Sequence, residues 1–181
     1  FQHAAAAQDI DRAAELLESR GTPLPYRGAT AQVLHWLASL PAAELDARPA
    51  LWVNYASALN IAGQMPDAVE EKLRAAESAL ASADAGDRAE DLVGRIAAVR
   101  AMQAIPLDQA DLVVTQARRA LAHLDPDNLP ARTAASWALG YGYQLQGDLA
   151  AARAVYEETL PISQASGNLM VSIGTTVALG Q

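Results

Sequence analysis

A helical-hairpin pattern recurs along this chain at a fixed spacing. Each copy contains a predicted helix, a short turn that usually carries Gly, and a second helix with a small Ala where the two helices would cross. The crossing alanines are Ala68, Ala110 and Ala152, so the period is 42 residues twice over (110 − 68 and 152 − 110). A period of this size with helix-pair content predicts an all-α fold, an α-solenoid of stacked helical hairpins.

The clearest copy runs from Ser136 to Thr159. Small residues are expected where the two antiparallel helices approach, large aromatic residues beside them, and a left-handed Gly followed by a capping Asp at the turn. This arrangement resembles the tetratricopeptide (TPR) pattern, and the residues that carry the resemblance are Leu139-Gly140, Tyr143, Gly147-Asp148, Ala152 and Tyr156. It implies a right-handed superhelix.

The other two copies follow the same order with weaker matches. The earlier one has its turn at Gly63 and places Pro66 just inside the second helix, where the missing N–H costs nothing. In the middle copy Ile105-Pro106 replaces the usual Gly, and Asp108 is the predicted cap of the second helix. The further matching residues are Trp52, Ala56 and Leu59 in the earlier copy and Ala98, Ala101 and Val114 in the middle one. The predicted repeat units are 50–84, 87–125 and 129–166.

Helical patterns extend on both sides of these units. Asp9 is the predicted cap of a helix over 10–20, and a second apolar stripe predicts a helix over 29–40. With a helix tail over 1–7, the repeat helices (50–62, 66–83, 88–104, 108–124, 129–146 and 148–166) and one that begins near 168, this gives nine to ten helices in one superhelical domain, 1–181. Because both ends lie inside helical pattern, we expect a piece of a larger protein, truncated at both ends.

Composition argues against several classes of function. The chain has 51% hydrophobic residues, no Cys and a net charge of −8, and alanine makes up roughly a quarter of it, as in closely packed helices. Scattered basic residues and this negative charge argue against nucleic-acid binding, and the lack of Cys excludes disulfides and thiolate metal sites. Neither a membrane span nor a signal peptide is predicted, and the cytoplasm is the expected location. No catalytic triad, carboxylate pair or phosphate loop is visible, so we expect no enzyme activity.

Three segments resemble a more specific family. They are Gln8 to Leu17, Leu34 to Pro41 (LHWLASLP) and Ala47 to Leu51 (ARPAL), and the later segments Ala117 to Leu121 and Gln146 to Leu149 agree with them. The order is similar to the TPR-like sensor region of the large MalT-type regulators of the LuxR family, which are signal-transduction ATPases with a C-terminal DNA-binding helix-turn-helix.

The resemblance implies a domain that binds a small-molecule inducer or a regulatory protein or peptide and relays this to oligomerisation. ATP would bind only in a separate domain, because no P-loop occurs here, and no cofactor is expected in this segment. The alternative is a generic TPR scaffold for protein–protein interaction. Self-association of the chain is also conceivable through the apolar faces that truncation would expose.

If the TPR geometry holds, the first helix of each pair lines a concave groove. Offsets from the small residues predict that seven side chains face it: Ser57, Asn60, Arg95, Gln103, Trp137, Tyr141 and Gln144. Aromatic rings with polar neighbours suit a sugar-like or peptide ligand. The competing interpretation is that Trp137 and Tyr141 only pack between repeats.

Other candidates are weaker. The histidines, His3, His35 and His123, lack metal-ligand spacing, and His35 is expected at the surface. Asp125 to Asn128 begins like a calcium loop but lacks its Gly and Glu, so a turn and helix cap are predicted. An acidic docking face is conceivable, although charges on helices are usually only solvated; its residues would be Glu70, Glu71, Glu77, Asp84, Asp87, Glu90 and Asp91.

Overall fold

The structure is a computed structural model that describes residues 1–18, 24–82 and 88–180. This part of the chain contains eleven α-helices and no strand, which confirms the predicted all-α, TPR-like helical repeat fold. The helices are α1 (Gln2–Ala6), α2 (Ile10–Leu17), α3 (Thr30–Ser39), α4 (Ala42–Asp46), α5 (Pro49–Ile61), α6 (Pro66–Ser82), α7 (Arg88–Ala104), α8 (Ala110–His123), α9 (Leu129–Leu145), α10 (Leu149–Ala165) and α11 (Leu169–Leu179). Two short 3-10 turns lie at Leu24–Arg27 and Ile105–Leu107.

The chain divides into two compact units, unit 1 (Phe1–Ala89) and unit 2 (Glu90–Gln181). The prediction of one continuous superhelical domain stays a prediction. The short helix α4 is not predicted, because its five residues are too few to show a helical period. Nine of the eleven helices in the described residues have seven or more residues, which agrees with the predicted nine to ten.

Unit 1 buries the apolar stripes of α2, α3, α5 and α6. Leu37, Leu51 and Leu73 have no exposed surface, and the Phe1 ring packs edge-on against Trp36 with 5.3 Å between ring centroids. Asp9 caps α2 as predicted by accepting the Arg12 N–H. Each of the fully buried leucines stabilises the fold by roughly 1.5–3 kcal/mol, so the apolar stripes hold unit 1 together.

Helix ends in both units share one turn geometry. A residue with positive φ stops the helix, and the N–H of the next residue bonds to the carbonyl five positions back, as in a Schellman motif. The left-handed residues are Gln8, Gly63, Asp108, Gly147 and Gly167. The predicted roles of Gly63 and Gly147 as helix stops are confirmed.

The middle repeat corrects two expectations. Asp108 does not cap the start of α8: it ends the preceding 3-10 turn with φ 52°, at the position that Gly147 fills with φ 80° in the last repeat, and Gln109 precedes α8 without a side-chain cap. Ala110 is not equivalent to Ala152 either, because it lies two residues after its left-handed residue and Ala152 lies five after Gly147. Val113, five after Asp108 and fully buried, holds that position. The strict 42-residue period was therefore wrong for this copy.

Unit 2 is organised around α9, which packs between α8 and α10. A Cβ atom added to Gly140 would lie 2.5 Å from Tyr156 Cε1 on α10, and one added to Gly142 would lie 2.7 Å from Val114 Cγ2 on α8. Only glycine fits at these two contacts. The expected close approach at Gly140, with the Tyr156 ring filling the space beside it, is thus confirmed.

The helices of the described residues differ in polarity, but none of them has both the length and the hydropathy needed to span a membrane.

Candidate functional site

The predicted groove residues of α9 form a stacked aromatic pair. The rings of Trp137 and Tyr141 lie one helical turn apart, with 5.5 Å between centroids and an interplanar angle of 25°. Both side chains are half-buried. The pair therefore presents a partly accessible apolar face of the kind that binds flat ligands.

Two polar groups lie beside this pair. Tyr156 Oη donates to Gln144 Oε1 over 3.3 Å, which joins α10 to the end of α9. Burial, together with the nearby Tyr141, raises the pKa of Tyr156 to about 12. The phenol therefore stays neutral and remains a hydrogen-bond donor throughout the physiological pH range.

The indole of Trp137 reaches toward α11. A Cβ atom on Gly174 would lie 2.8 Å from Trp137 Nε1, so this glycine makes room for the indole edge. Within the described chain, neither Trp137 Nε1 nor Thr175 Oγ1 has a hydrogen-bond partner, although both atoms are buried. An unpaired buried donor costs about 1–3 kcal/mol, so a ligand or water that accepts from Nε1 would recover that energy.

The α10–α11 turn is fixed by buried hydrogen bonds. Asn168 caps α11 by accepting the Val171 N–H, and its Nδ2 donates to Thr133 Oγ1 on α9 over 3.1 Å. Ser163 and Ser172 share a further bond of 2.9 Å. The Asn168–Thr133 bond holds the start of α11 against α9, which carries Trp137, and the Ser163–Ser172 bond holds α11 against α10.

The other predicted groove residues are placed differently. Ser57 and Asn60 lie on α5 in unit 1, whereas Arg95 and Gln103 lie on α7 in unit 2, and all four are half-buried. Arg95 and Gln103 already have interaction partners. The three α9 residues, with Tyr156, are brought together by contacts that the structure shows, and use of the groove stays a prediction.

Unit 1 has an aromatic pair that the sequence analysis did not single out. The rings of Trp52 and Tyr55 are parallel within 4°, and Lys72 Nζ lies 5.5 Å and 5.4 Å from their centroids. Trp52 Nε1 donates to Asp46 Oδ1 over 2.9 Å. Lys72 is the only lysine in the chain and occupies this aromatic surface itself.

The weaker candidates take structural roles where the structure describes them. Asn128 caps α9, and Asp91 accepts both the Asp125 N–H and an Asn128 Nδ2–H, which confirms the turn and cap. Glu71 pairs with Lys72 and Glu70 with Arg74, while Asp84 and Asp87 lie outside the described residues. His35 is exposed as predicted. No group of three or more potential ligands in the described ranges is placed to hold a metal.

The repeats of unit 2 are similar to a known family. A family model described as the MalT-like TPR region matches residues 94–181, from within α7 through α11. This segment, just under half of the chain, is similar to the MalT-like TPR region. The resemblance inferred from the sequence is confirmed for it, and the family is one of regulatory or sensing regions. No curated protein and no solved structure matches the chain.

The MalT-like segment contains the whole aromatic site and its supporting residues. Sequence reasoning found Trp137, Tyr141 and Gln144 from the helix period, but missed Gly174 and Asn168. The available signals were a glycine inside a helical pattern, which indicates close packing, and an Asn directly after Gly167, which is typical of a cap. The sequence does not predict the burial of Trp137 Nε1, because this burial depends on how α11 packs.

Proposed function

We propose that this chain is the sensor segment of an ATP-dependent MalT-type regulator of the LuxR family. The match of the MalT-like TPR region over 94–181 supports this, together with the Trp137–Tyr141 pair that lies inside the matched segment. The segment acts by binding, without catalysis, in the cytoplasm. ATP binding and DNA recognition belong to other domains of such a regulator.

The ligand in this proposal is a small-molecule inducer or a regulatory peptide that stacks on the aromatic pair. Half-buried Gln144, which accepts from Tyr156 Oη, offers a polar group beside the rings. A ligand that contacts both α9 and α11 stabilises their packing, because binding to the native state alone stabilises it by mass action. This change is what the regulator would relay to oligomerisation.

The test is a thermal-shift screen of the 181-residue chain against sugars, nucleosides and short peptides. Compounds that raise Tm are titrated against Tyr141→Leu and against the matched variant Tyr55→Leu, which removes the tyrosine of the other Trp–Tyr pair. We expect Tyr141→Leu to weaken binding about tenfold and Tyr55→Leu to leave it unchanged. Equal binding to all three proteins would show that the ligand does not use the α9 pair.

A further inference from the structure

Two helix–helix turns of unit 2 lie side by side at one edge. Gln146, in the α9–α10 turn, donates from Nε2 to Asp111 Oδ1 in the first turn of α8 over 2.7 Å. The 3-10 turn Ile105–Leu107, which leads into α8, contacts α9. We call this surface, formed by residues 105–112 and 145–149, the turn edge.

The turn edge exposes an unusual amount of apolar surface. Leu149 is 66% exposed and Leu107 49%, and Leu112 and Leu145 are exposed at 42% and 36%. The core behind the edge is filled by other residues, among them Val113 and Val114, so the four leucines are not needed to pack the hairpins. Apolar patches rimmed by polar residues often mark sites of protein–protein contact.

The charged residues within the turn edge have one sign. They are Asp108, Asp111 and Asp148, which are all exposed. The next basic residues along the chain, Arg118 and Arg153, contact Tyr143 and Glu157. A partner that covers the leucines gains by placing basic residues opposite these carboxylates, because complementary potentials steer and orient association.

We propose that the turn edge binds an amphipathic helical segment of a partner protein, with a leucine-type stripe flanked by Arg or Lys. Such a helix lays its apolar face on the leucines, as in helix-in-groove recognition, while its basic side chains meet the three aspartates. The turn edge shares no residue with the aromatic site of the proposed function. A helix bound there would join the two hairpins of unit 2.

The experiment uses the full 181-residue chain and a fluorescent synthetic peptide of about five helical turns (~18 residues), with leucines at helical spacing and flanking arginines. The control peptide has Glu in place of every Arg. Fluorescence anisotropy compares wild-type chain with the double variant Leu107→Ser/Leu149→Ser. The matched control, Leu169→Ser/Met170→Ser, removes two residues of α11 that are 73% and 70% exposed.

We expect binding of the basic peptide only, about tenfold weaker binding to the turn-edge variant, and less than about twofold change for the α11 variant. Raising salt from about 0.05 to 0.5 M should weaken binding, because exposed charges are screened. Hydrogen exchange should show protection at 105–112 and 145–149 in the wild-type complex. This measurement does not depend on the variants folding.

Three results would overturn the proposal. They are no binding of the basic peptide, equal binding of both peptides, and equal loss in the two double variants. The last two would indicate only a non-selective apolar surface.

Discussion

At the scale of single residues, Asp108 shows where this chain tolerates strain. It adopts φ 52° at a position that Gly63, Gly147 and Gly167 fill in other turns. Because a left-handed conformation costs a non-glycine residue roughly 1–2 kcal/mol, and Asp somewhat less, we expect Asp108→Gly to raise the free energy of unfolding by about 0.5–1 kcal/mol. Chemical denaturation followed by circular dichroism measures this.

The matched control is Asp67→Gly, since Asp67 is also exposed but lies in the first turn of α6. Glycine is a poor helix former, so this variant should lose about 1 kcal/mol. A loss of stability in both variants would contradict the role assigned to the conformation of Asp108.

At Gly140 we expect the opposite effect, a loss of stability when the glycine is replaced. A methyl group there would meet the Tyr156 ring, which is only 2% exposed and has little room to move. Gly140→Ala should therefore cost about 1–3 kcal/mol through overpacking. Gly180→Ala, whose added Cβ would have no neighbour closer than 3.6 Å, should change stability little. The two denaturation curves are compared, and an equal effect of both substitutions would exclude the clash as the cause.

Tyr156 also gives a pH prediction. Its pKa is raised from 10.0 in a free phenol to about 12 by burial, so above pH 10 the unfolded chain releases the proton while the folded chain retains it. This pKa difference stabilises the folded state. The stabilisation is fully present below pH 10 and is lost as the pH rises toward about 12, by up to on the order of 2 kcal/mol. Unfolding measured between pH 8 and 11.5 in wild type and Tyr156→Phe checks it. The variant should lose less stability over this range, and parallel curves would argue against a buried phenol.

At the scale of elements, Asn168 combines two roles, as Asn128 does at the start of α9, whereas Asp148 has only one. Asn168 caps α11 and also donates to buried Thr133 on α9, whereas Asp148 caps α10 from an exposed position. We expect Asn168→Ala to cost about 2–3 kcal/mol and Asp148→Ala about 1 kcal/mol. Hydrogen exchange should show that Asn168→Ala loosens 169–179 in particular. Equal losses in both variants would mean that the Thr133 bond adds nothing.

The helices themselves were largely predictable from the sequence, because apolar periodicity and caps such as Asp9 and Asp148 depend on neighbours along the chain. Positions that depend on tertiary packing were not. The left-handed Asp108 breaks the usual glycine rule, and α4 is too short to show a period. Trp137 and Tyr141 were found by helical spacing, but the contact of Trp137 with Gly174 follows from the packing of α11, which one sequence does not reveal.

At the scale of the whole molecule, the outer side of α11 presents an exposed apolar face. The helix has no charged residue, and Leu169, Met170, Ile173 and Val177 are 56–73% exposed, around a shallow depression lined by Ser172, Ile173, Thr176 and Val177. We expect concentration-dependent association through this face. Ile173→Glu/Val177→Glu should shift sedimentation velocity toward monomer, while Leu107→Ser/Leu149→Ser should not. Unchanged association in the glutamate variant would place the contact elsewhere.

The two glycines of α9 also constrain how such chains can be recombined. The Tyr156 ring packs on Gly140 and the Val114 side chain packs on Gly142, so α8 and α10 both contact α9 at glycines. The directions of these two contacts are fixed by the helix geometry of 3.6 residues per turn. Inserting one residue between the start of α9 and Gly140 would rotate one part of the helix by about 100° relative to the rest and misalign it with its neighbours. Viable chimeras between related repeats should therefore have their crossover point in the turn at Gly167, where both partners of each of these two contacts are inherited together.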